Sequence, residues 1–484
     1  MNFWPWPHAF PAKPAGIRRT GAGGFSEHFW FAPNQRTTSL LMNVSCHIQD
    51  IRIFTLRFET MNYENSLAFA QQMDAADPLK LFRSKFLLPQ HNGRDVVYFT
   101  GNSLGLQPRT TRDAILQELD DWAKFGVEGH FEARNPWFSY HELLTAHTAE
   151  IVGAKPIEVV VMNQLTSNLH FLMASFYRPR GLRHTIVCEQ KAFPSDQYAL
   201  ETQVRWHGYE PEDAIIEVAP REGEHTIRTE DVIAAIENAG ETLALVMIGG
   251  VNYYSGQVFD MAAITAAAHK TGAYAGWDLA HAAGNLHLKL HEWNVDFAAW
   301  CSYKYLNSGP GSVAGAFVHE RHANSNLPRL AGWWGHDKSS RFKMEKGFVP
   351  IPGAEGWQLS NAPVFSMAAH KAALEIFAEA GMPALCAKTE KLTGYLEYII
   401  DTVSAAHNNC LEIITPRNKA ERGCQLSIVA HGYGRKLFDQ LTANGVIADW
   451  REPNVIRTAP VPLYNSFEDV WRFGEILNKA LSSN

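Results

Sequence analysis

Cysteine is scarce in this chain. Six of 484 residues are cysteines (Cys46, Cys188, Cys301, Cys386, Cys410 and Cys424), and no two form a C-x-x-C pair. That spacing excludes a disulfide-stapled scaffold and a zinc ribbon, and it points to reduced thiols in a cytoplasmic protein. No stretch of about 18 consecutive apolar residues is present, so no membrane span is expected. The formal net charge is -7 and no long basic run occurs, which leaves nucleic acid without an electrostatic footprint. Internal repeats and low-complexity blocks are lacking as well. No metal-ligand set is read: His141-Glu142…His147 misses the zinc-protease spacing, in which the second histidine follows the first by four residues. No serine-nucleophile elbow is read either. Gly309–Gly315 has the wrong glycine spacing for a dinucleotide loop, and a strand rather than a helix follows it.

What is there is a chain that is 46% hydrophobic and 19% charged, too long for one typical core. Residues 1–61 stand apart as a leader. They mix Trp, Pro and Gly without period, and their basic residues (Lys13, Arg18, Arg19, Arg36, Arg52, Arg57) outnumber the acidic ones (Glu27, Asp50, Glu59). They lack the compact apolar core of a signal peptide, and prolines break any amphipathic transit helix. Met61 is a plausible start, and the Asn43-Val44-Ser45 sequon carries little weight without a secretory signal. We expect residues 62–112 to join a small domain, residues 113–350 to form a large domain, and residues 351–484 to complete the small one.

Beyond the leader, short apolar strands alternate with helical stretches from about residue 158 to 318. This pattern predicts an α/β fold with a mostly parallel sheet covered on both faces. A helix holding Ile115, Leu116, Leu119, Trp122 and Ala123 at helical spacing precedes it. Thr229 reads as an N-cap with Glu230 and Asp231 in the first turn, and Asp260 and Ser466 as further caps. Residues 328–364, rich in Gly, Pro and Trp, read as a long functional loop. The C-terminal part reads as a smaller α+β domain.

The chemistry concentrates where strands end. Phe297–Cys301 is an apolar strand that runs into Ser302-Tyr303-Lys304-Tyr305, which sets a lysine at the carboxyl mouth of a parallel sheet, where α/β ligand sites form. Taken alone, such a lysine is a solvated side chain. Its company changes that reading, because Tyr274–Trp277 ends in Asp278 in the same way. A carboxylate can keep a pyridine nitrogen protonated, and a partly desolvated amine can form a Schiff base. Gln164-Leu165-Thr166 opens a helix after a strand and suits a phosphate. Phe193 could stack on a pyridine ring or pack in the core. Arg457, on a small-domain strand, could grip a carboxylate through two parallel hydrogen bonds.

With these pieces in place the chain resembles a known family. GNSLG (101–105), QLTSNLH (164–170), FPSD (193–196), DLAHAAGN (278–285), CSYKYLN (301–307), RFKM (341–344) and RTAPVPLYNS (457–466) look like the motifs of kynureninases, and the likeness runs from about residue 63 to the C-terminus. It implies a homodimeric fold-type-I enzyme that uses pyridoxal 5'-phosphate (PLP). Such an enzyme cleaves L-kynurenine, or its 3-hydroxy form, to anthranilate or 3-hydroxyanthranilate plus L-alanine. Carried over, Lys304 is the Schiff-base lysine, with Asp278 at the pyridine nitrogen and Asp196 nearby. Thr166, His281, Tyr303 and the Trp333 loop serve the phosphate, Leu165, Pro194, Ser195, Gly249 and Asn361 are further cofactor contacts, and Phe193 stacks on the ring. Arg457 takes the α-carboxylate, Tyr303 moves a proton at the β-carbon, and Ser103, His130 and Asn361 lie near the aryl ring. Gly249 departs from the pattern, since some relatives carry serine there, which leaves that hydroxyl contact in doubt. The rivals are a cysteine desulfurase or class V aminotransferase on the same fold, and a non-catalytic relative.

Overall fold

In the computed structural model residues 62–483 are described; the leader, its sequon and Cys46 lie outside them. The chain opens with α1 (Leu67–Ala76), whose N-terminus is capped by Ser66. Pro78 follows its end, and a 3-10 segment resumes at Lys80. Helix α2 (Thr111–Phe125) comes next. It forms where expected, with its apolar stripe turned outward. Leu116, Leu119 and Trp122 are 42%, 40% and 57% exposed, whereas Glu118 and Asp121 are buried. Glu118 is satisfied there by Asn135, Trp137 and Tyr140, which all donate to its carboxylate. The apolar stripe of α2 therefore marks a surface of the described chain and not its core.

Seven strands form the large sheet: β1 (Val159–Val161), β2 (Thr185–Glu189), β3 (Ile215–Val218), β4 (Leu243–Gly249), β5 (Tyr274–Asp278), β6 (Phe297–Trp300) and β7 (Gly315–Val318). Their order is β1-β7-β6-β5-β4-β2-β3. Every pairing is parallel except those of β7, which runs antiparallel to both neighbours. Alternate residues feed two cores. Val187, Val246, Ile248, Trp277 and Trp300 join one cluster with helices α5 (Thr229–Ala239) and α6 (Met261–Thr271). Ile186, Cys188, Met247, Phe297 and Ala299 join the other with α3 (Leu165–Phe176) and α4 (Pro194–Trp206). The period of two is the pleat itself, and burial on both faces explains why the strands read as unbroken apolar runs.

Boundaries that differ do so for local reasons. Arg228, in extended conformation, holds the N-cap position of α5, so Thr229 is its first helical residue and makes no capping bond. Asp260 and Ser466 do cap, each accepting from the backbone N–H three residues on. The run 446–450 splits. Val446–Ile447 pairs in parallel with Val97–Tyr98, whereas Asp449–Arg451 turns to pair antiparallel with residues 455–458.

Helix α7 (Val364–Ala380) packs into the large core, and so do Met382 and Leu385 at the start of α8 (Met382–Ala406). From Leu392 on, α8 serves a second cluster with Val97, Phe99 and helix α9 (Phe467–Ser482). That cluster backs a four-stranded antiparallel sheet of β8 (Leu411–Ile413), β9 (Leu426–Ala430), β10 (Asp449–Arg451) and β11 (Val455–Thr458), in the order β8-β9-β11-β10. Among the described residues no helix is long and apolar enough to cross a membrane.

Candidate active site

Parallel strands stop together at their carboxyl edge, and the loops beyond them open a cavity of about 390 Å³. Three strands end in residues that line it. β2 ends in Glu189, β4 in Gly249 and β5 in Asp278. The chain after β6 delivers Tyr303 and Lys304, and the N-termini of α3 and α4 deliver Leu165 with Thr166 and Phe193, Ser195 and Asp196. The cavity thus gathers ten of the residues singled out in the sequence: Leu165, Thr166, Phe193, Ser195, Asp196, Gly249, Asp278, His281, Tyr303 and Lys304.

Lys304 is buried, and its Nζ lies 3.1 Å from His281 Nε2 and 5.7 Å from the centre of the Phe193 ring. Burial holds His281 well below its ordinary pKa, and the positive charges of Lys304 and Arg457 act in the same direction. The imidazole is therefore neutral at physiological pH. Asp278 Oδ1 accepts from Ala280 N–H at 2.6 Å, which orients the carboxylate. Asp196 is raised well above the usual carboxyl range by burial and by Asp278 beside it. Tyr303 is raised by burial and by Cys301, and it keeps its proton. Thr166 and Ser195 share a hydroxyl–hydroxyl hydrogen bond of 2.8 Å between two helix N-termini. Gln164 at the head of α3 makes no side-chain cap, and Pro194 occupies the first turn of α4, where a missing N–H costs nothing.

The remaining sequence candidates lie outside this cavity. Arg457 on β11 is 1% exposed; it donates to the carbonyl of Tyr253, a cavity residue, at 2.7 Å and pairs with Asp449 at 2.7 Å. Asn361 lines a neighbouring cavity of about 300 Å³ that shares Gln164 and Gly311 with the first. Ser103 sits in the turn whose Gly105 N–H donates to the Tyr303 carbonyl at 2.8 Å. A side chain at Gly105 would strike the Lys304 carbonyl oxygen, so only glycine allows this approach. His130 lies on the short helix Gly129–Glu132, with Nδ1 on the Val127 carbonyl at 2.9 Å and its ring on Trp137. Trp333 packs on Phe342 within the 328–364 loop and donates to the Arg341 carbonyl at 3.1 Å.

One reading needs correction. Gly101–Gly105 does spell the G-x-S-x-G string of a hydrolase nucleophile elbow, which the reading of the sequence passed over. The segment is a turn followed by Gln107–Pro108, and no helix begins until Thr111, so the strand–turn–helix context of an elbow is missing. Glu189, Tyr253 and Ser312 also line the cavity and were not singled out. Glu189 could have been found, because it ends an apolar strand as Asp278 does. The dismissed His141-Glu142 motif meets Glu355 in space, but Lys338 Nζ already sits 2.9 Å from both Glu142 and Glu355 and supplies the cation.

A buried lysine and an acid pair at the carboxyl edge of this sheet define a lysine-centred α/β enzyme of fold type I. The likeness in fold is to cysteine desulfurase CsdA from Escherichia coli, with a TM-score of 0.68 at 17% identity over 84% of this chain and 98% of that one. Sequence narrows the class. The chain is 58% identical to the kynureninase of Flavobacterium psychrophilum over 425 residues, 88% of this chain and all of that protein. It is 59% identical to the kynureninase of Flavobacterium johnsoniae over 87% of this chain and 99% of that protein. Residues 385–477 match the kynureninase C-terminal domain. The chain belongs to the kynureninase family.

Proposed function

We propose that this protein hydrolyses L-kynurenine, and its 3-hydroxy form, to anthranilate or 3-hydroxyanthranilate plus L-alanine, with PLP held at Lys304. The observation that carries the reading is the convergence of Lys304, His281, Asp278 and Asp196 on one cavity in a member of this family. The residues fit the cofactor. Asp196 Oδ1 and His281 Nδ1 are buried polar atoms with no partner in the chain, and each needs one. Thr166, Ser195 and the N-terminus of α3 would hold the phosphate, Asp278 would face the pyridine nitrogen, and Phe193 would cover the ring.

The cofactor would supply an electron sink for the substrate's α-carbon. The chain does the rest. Arg457 binds the α-carboxylate, helped by burial that strengthens each charged hydrogen bond. Lys304 Nζ, steered by His281, takes the α-proton. Water provides the hydroxyl at the γ-carbon, the Cβ–Cγ bond breaks, the Tyr303 hydroxyl protonates the β-carbon and recovers its proton from that water, and Lys304 returns the α-proton to the α-carbon to complete alanine. Asn361, in the adjoining cavity, together with Ser103 and His130, is assigned to the aryl end. The desulfurase alternative needs a nucleophilic thiol. Burial instead raises Cys188 on β2, Cys301 at the cavity wall and Cys386 on α8 above the ordinary thiol range.

The working unit is assigned as a homodimer. Leu116, Leu119 and Trp122 on α2, with Val127, Phe131 and Phe365, give an exposed apolar surface of the kind that subunits cover. The compartment is assigned as the cytoplasm, which suits the free thiols of Cys188, Cys301 and Cys424. Mixing PLP-loaded enzyme with each substrate and following aryl-product fluorescence together with alanine tests the reading. Equal amounts of the two products are expected. No product from either substrate, with cofactor bound, overturns it.

A further inference from the structure

Three carboxyl groups share one wall of the cavity. Asp278 closes β5, Asp196 stands in the first turn of α4, and Glu189 closes β2. The first two were assigned above; Glu189 was not. It is 4% exposed, and its Oε1 accepts the Gly249 N–H at 3.1 Å, which ties the end of β2 to the end of β4. A side chain at Gly249 would bring its Cβ to 3.1 Å from the same oxygen, a tight contact that glycine avoids. The other charged or titratable groups on this side are Tyr253 beyond β4, His281 beyond β5, Cys301, Tyr303 and Lys304 beyond β6, and Arg451 and Arg457 on the small-domain strands β10 and β11; Cys188 precedes Glu189 on its own strand.

We propose that Glu189 is a positioning residue for the cofactor: it fixes the Gly249 turn and, as the third acid of the wall, sets how much negative charge faces the bound cofactor and Lys304. Burial and the neighbouring Asp278 push Glu189 up to about 7, against the Gly249 hydrogen bond, so its charge changes near neutral pH. A negative charge added beside a protonated nitrogen favours the protonated form, and its removal disfavours it.

The inference rests on PLP being held at Lys304, and Glu189→Gln separates charge from structure. The amide keeps a carbonyl oxygen for Gly249 N–H but has no proton to lose, whereas Glu189→Asp keeps the acid and shortens it. The visible absorption of cofactor-loaded wild type, E189Q and E189D is titrated against pH. The midpoint in E189Q is expected about half a unit to one unit lower than in wild type, with E189D nearer wild type. Coincident curves for E189Q and wild type overturn the proposal while leaving the cofactor assignment intact. A wild-type protein that takes up no cofactor overturns both. If E189Q fails to retain cofactor, equilibrium dialysis decides: retention by E189D supports the role of charge, and loss from both variants assigns Glu189 to structure alone.

Discussion

Two buried carboxylate sites in this molecule behave in opposite ways. Asp296, just before β6, is surrounded by donors: His269 at 2.8 Å, His322 at 2.8 Å, the Ala275 N–H at 2.8 Å, and the guanidinium of Arg321. Burial alone would raise this acid, but the two histidines and Arg321 outweigh it and hold Asp296 well below the usual carboxyl range. At the other end of the same sheet, Glu189, Asp196 and Asp278 face a cavity with too few cations to balance them, and Glu189 and Asp196 are raised. A paired carboxylate stabilises the fold. An unbalanced group is kept where a ligand will complete it, which is why perturbed acids mark sites better than buried acids do.

The comparison can be broken at several points. The largest expected effect is from Lys304→Ala, which would remove the proposed attachment point and the proposed base at once. Turnover of kynurenine should fall by more than about a thousandfold, and the visible cofactor band should be lost. A variant retaining both would end the assignment of Lys304. Asp296→Asn acts on stability alone. Breaking a buried, paired charge costs on the order of 3 kcal/mol, read as a lower urea midpoint. Turnover per folded molecule should stay near wild type; a purely catalytic defect would mean that the two sites are not separable.

The pH profiles sharpen the contrast. Asp296 has a depressed folded-state pKa, so its stabilisation is present above the unfolded value near 4 and is lost as pH falls through the folded value. Glu189 runs the other way. Its folded-state value of about 7 lies above the unfolded one of about 4.5, so the unfolded chain releases this proton first. Stability then falls as pH rises between those values, by about 3 kcal/mol at most. Cofactor-free E189Q should therefore lose less stability than wild type between pH 5 and 8 in urea titrations; equal losses would argue against a raised Glu189. Smaller again is Arg457→Gln, expected to cost about 10- to 100-fold in kcat/KM, mostly through KM. The smallest is Trp122→Asp on α2, which should weaken self-association in sedimentation runs and leave the monomer's unfolding midpoint nearly unchanged.

Much of this was legible beforehand. The limits of α3, the Asp260 and Ser466 caps and the strand ends at Asp278 and near Lys304 follow from period and end signals that depend only on neighbours in the chain. Asp278 was recognisable because it ends an apolar strand, and Lys304 because it follows one within four residues. Glu189 satisfied the same rule but is followed by the helix-opening FPSD motif, which drew the reading past it. The face of α2 was left open by the sequence for a different reason: an apolar stripe says that a surface will be covered and not by what.

The sequence by itself determined the layered α/β fold, the lysine and acid at the sheet's carboxyl edge, and the family. Those are local or motif-level properties, and the chain carries them in order. Tertiary structure alone decided that Lys304 meets His281, that Gly105 closes on the Tyr303 loop, and that Glu189 reaches Gly249 from sixty residues away. Parallel strands bring together groups that stand far apart in the chain. Which of them then share one low-dielectric wall, and so compete for charge, is fixed by strand order and not by sequence separation.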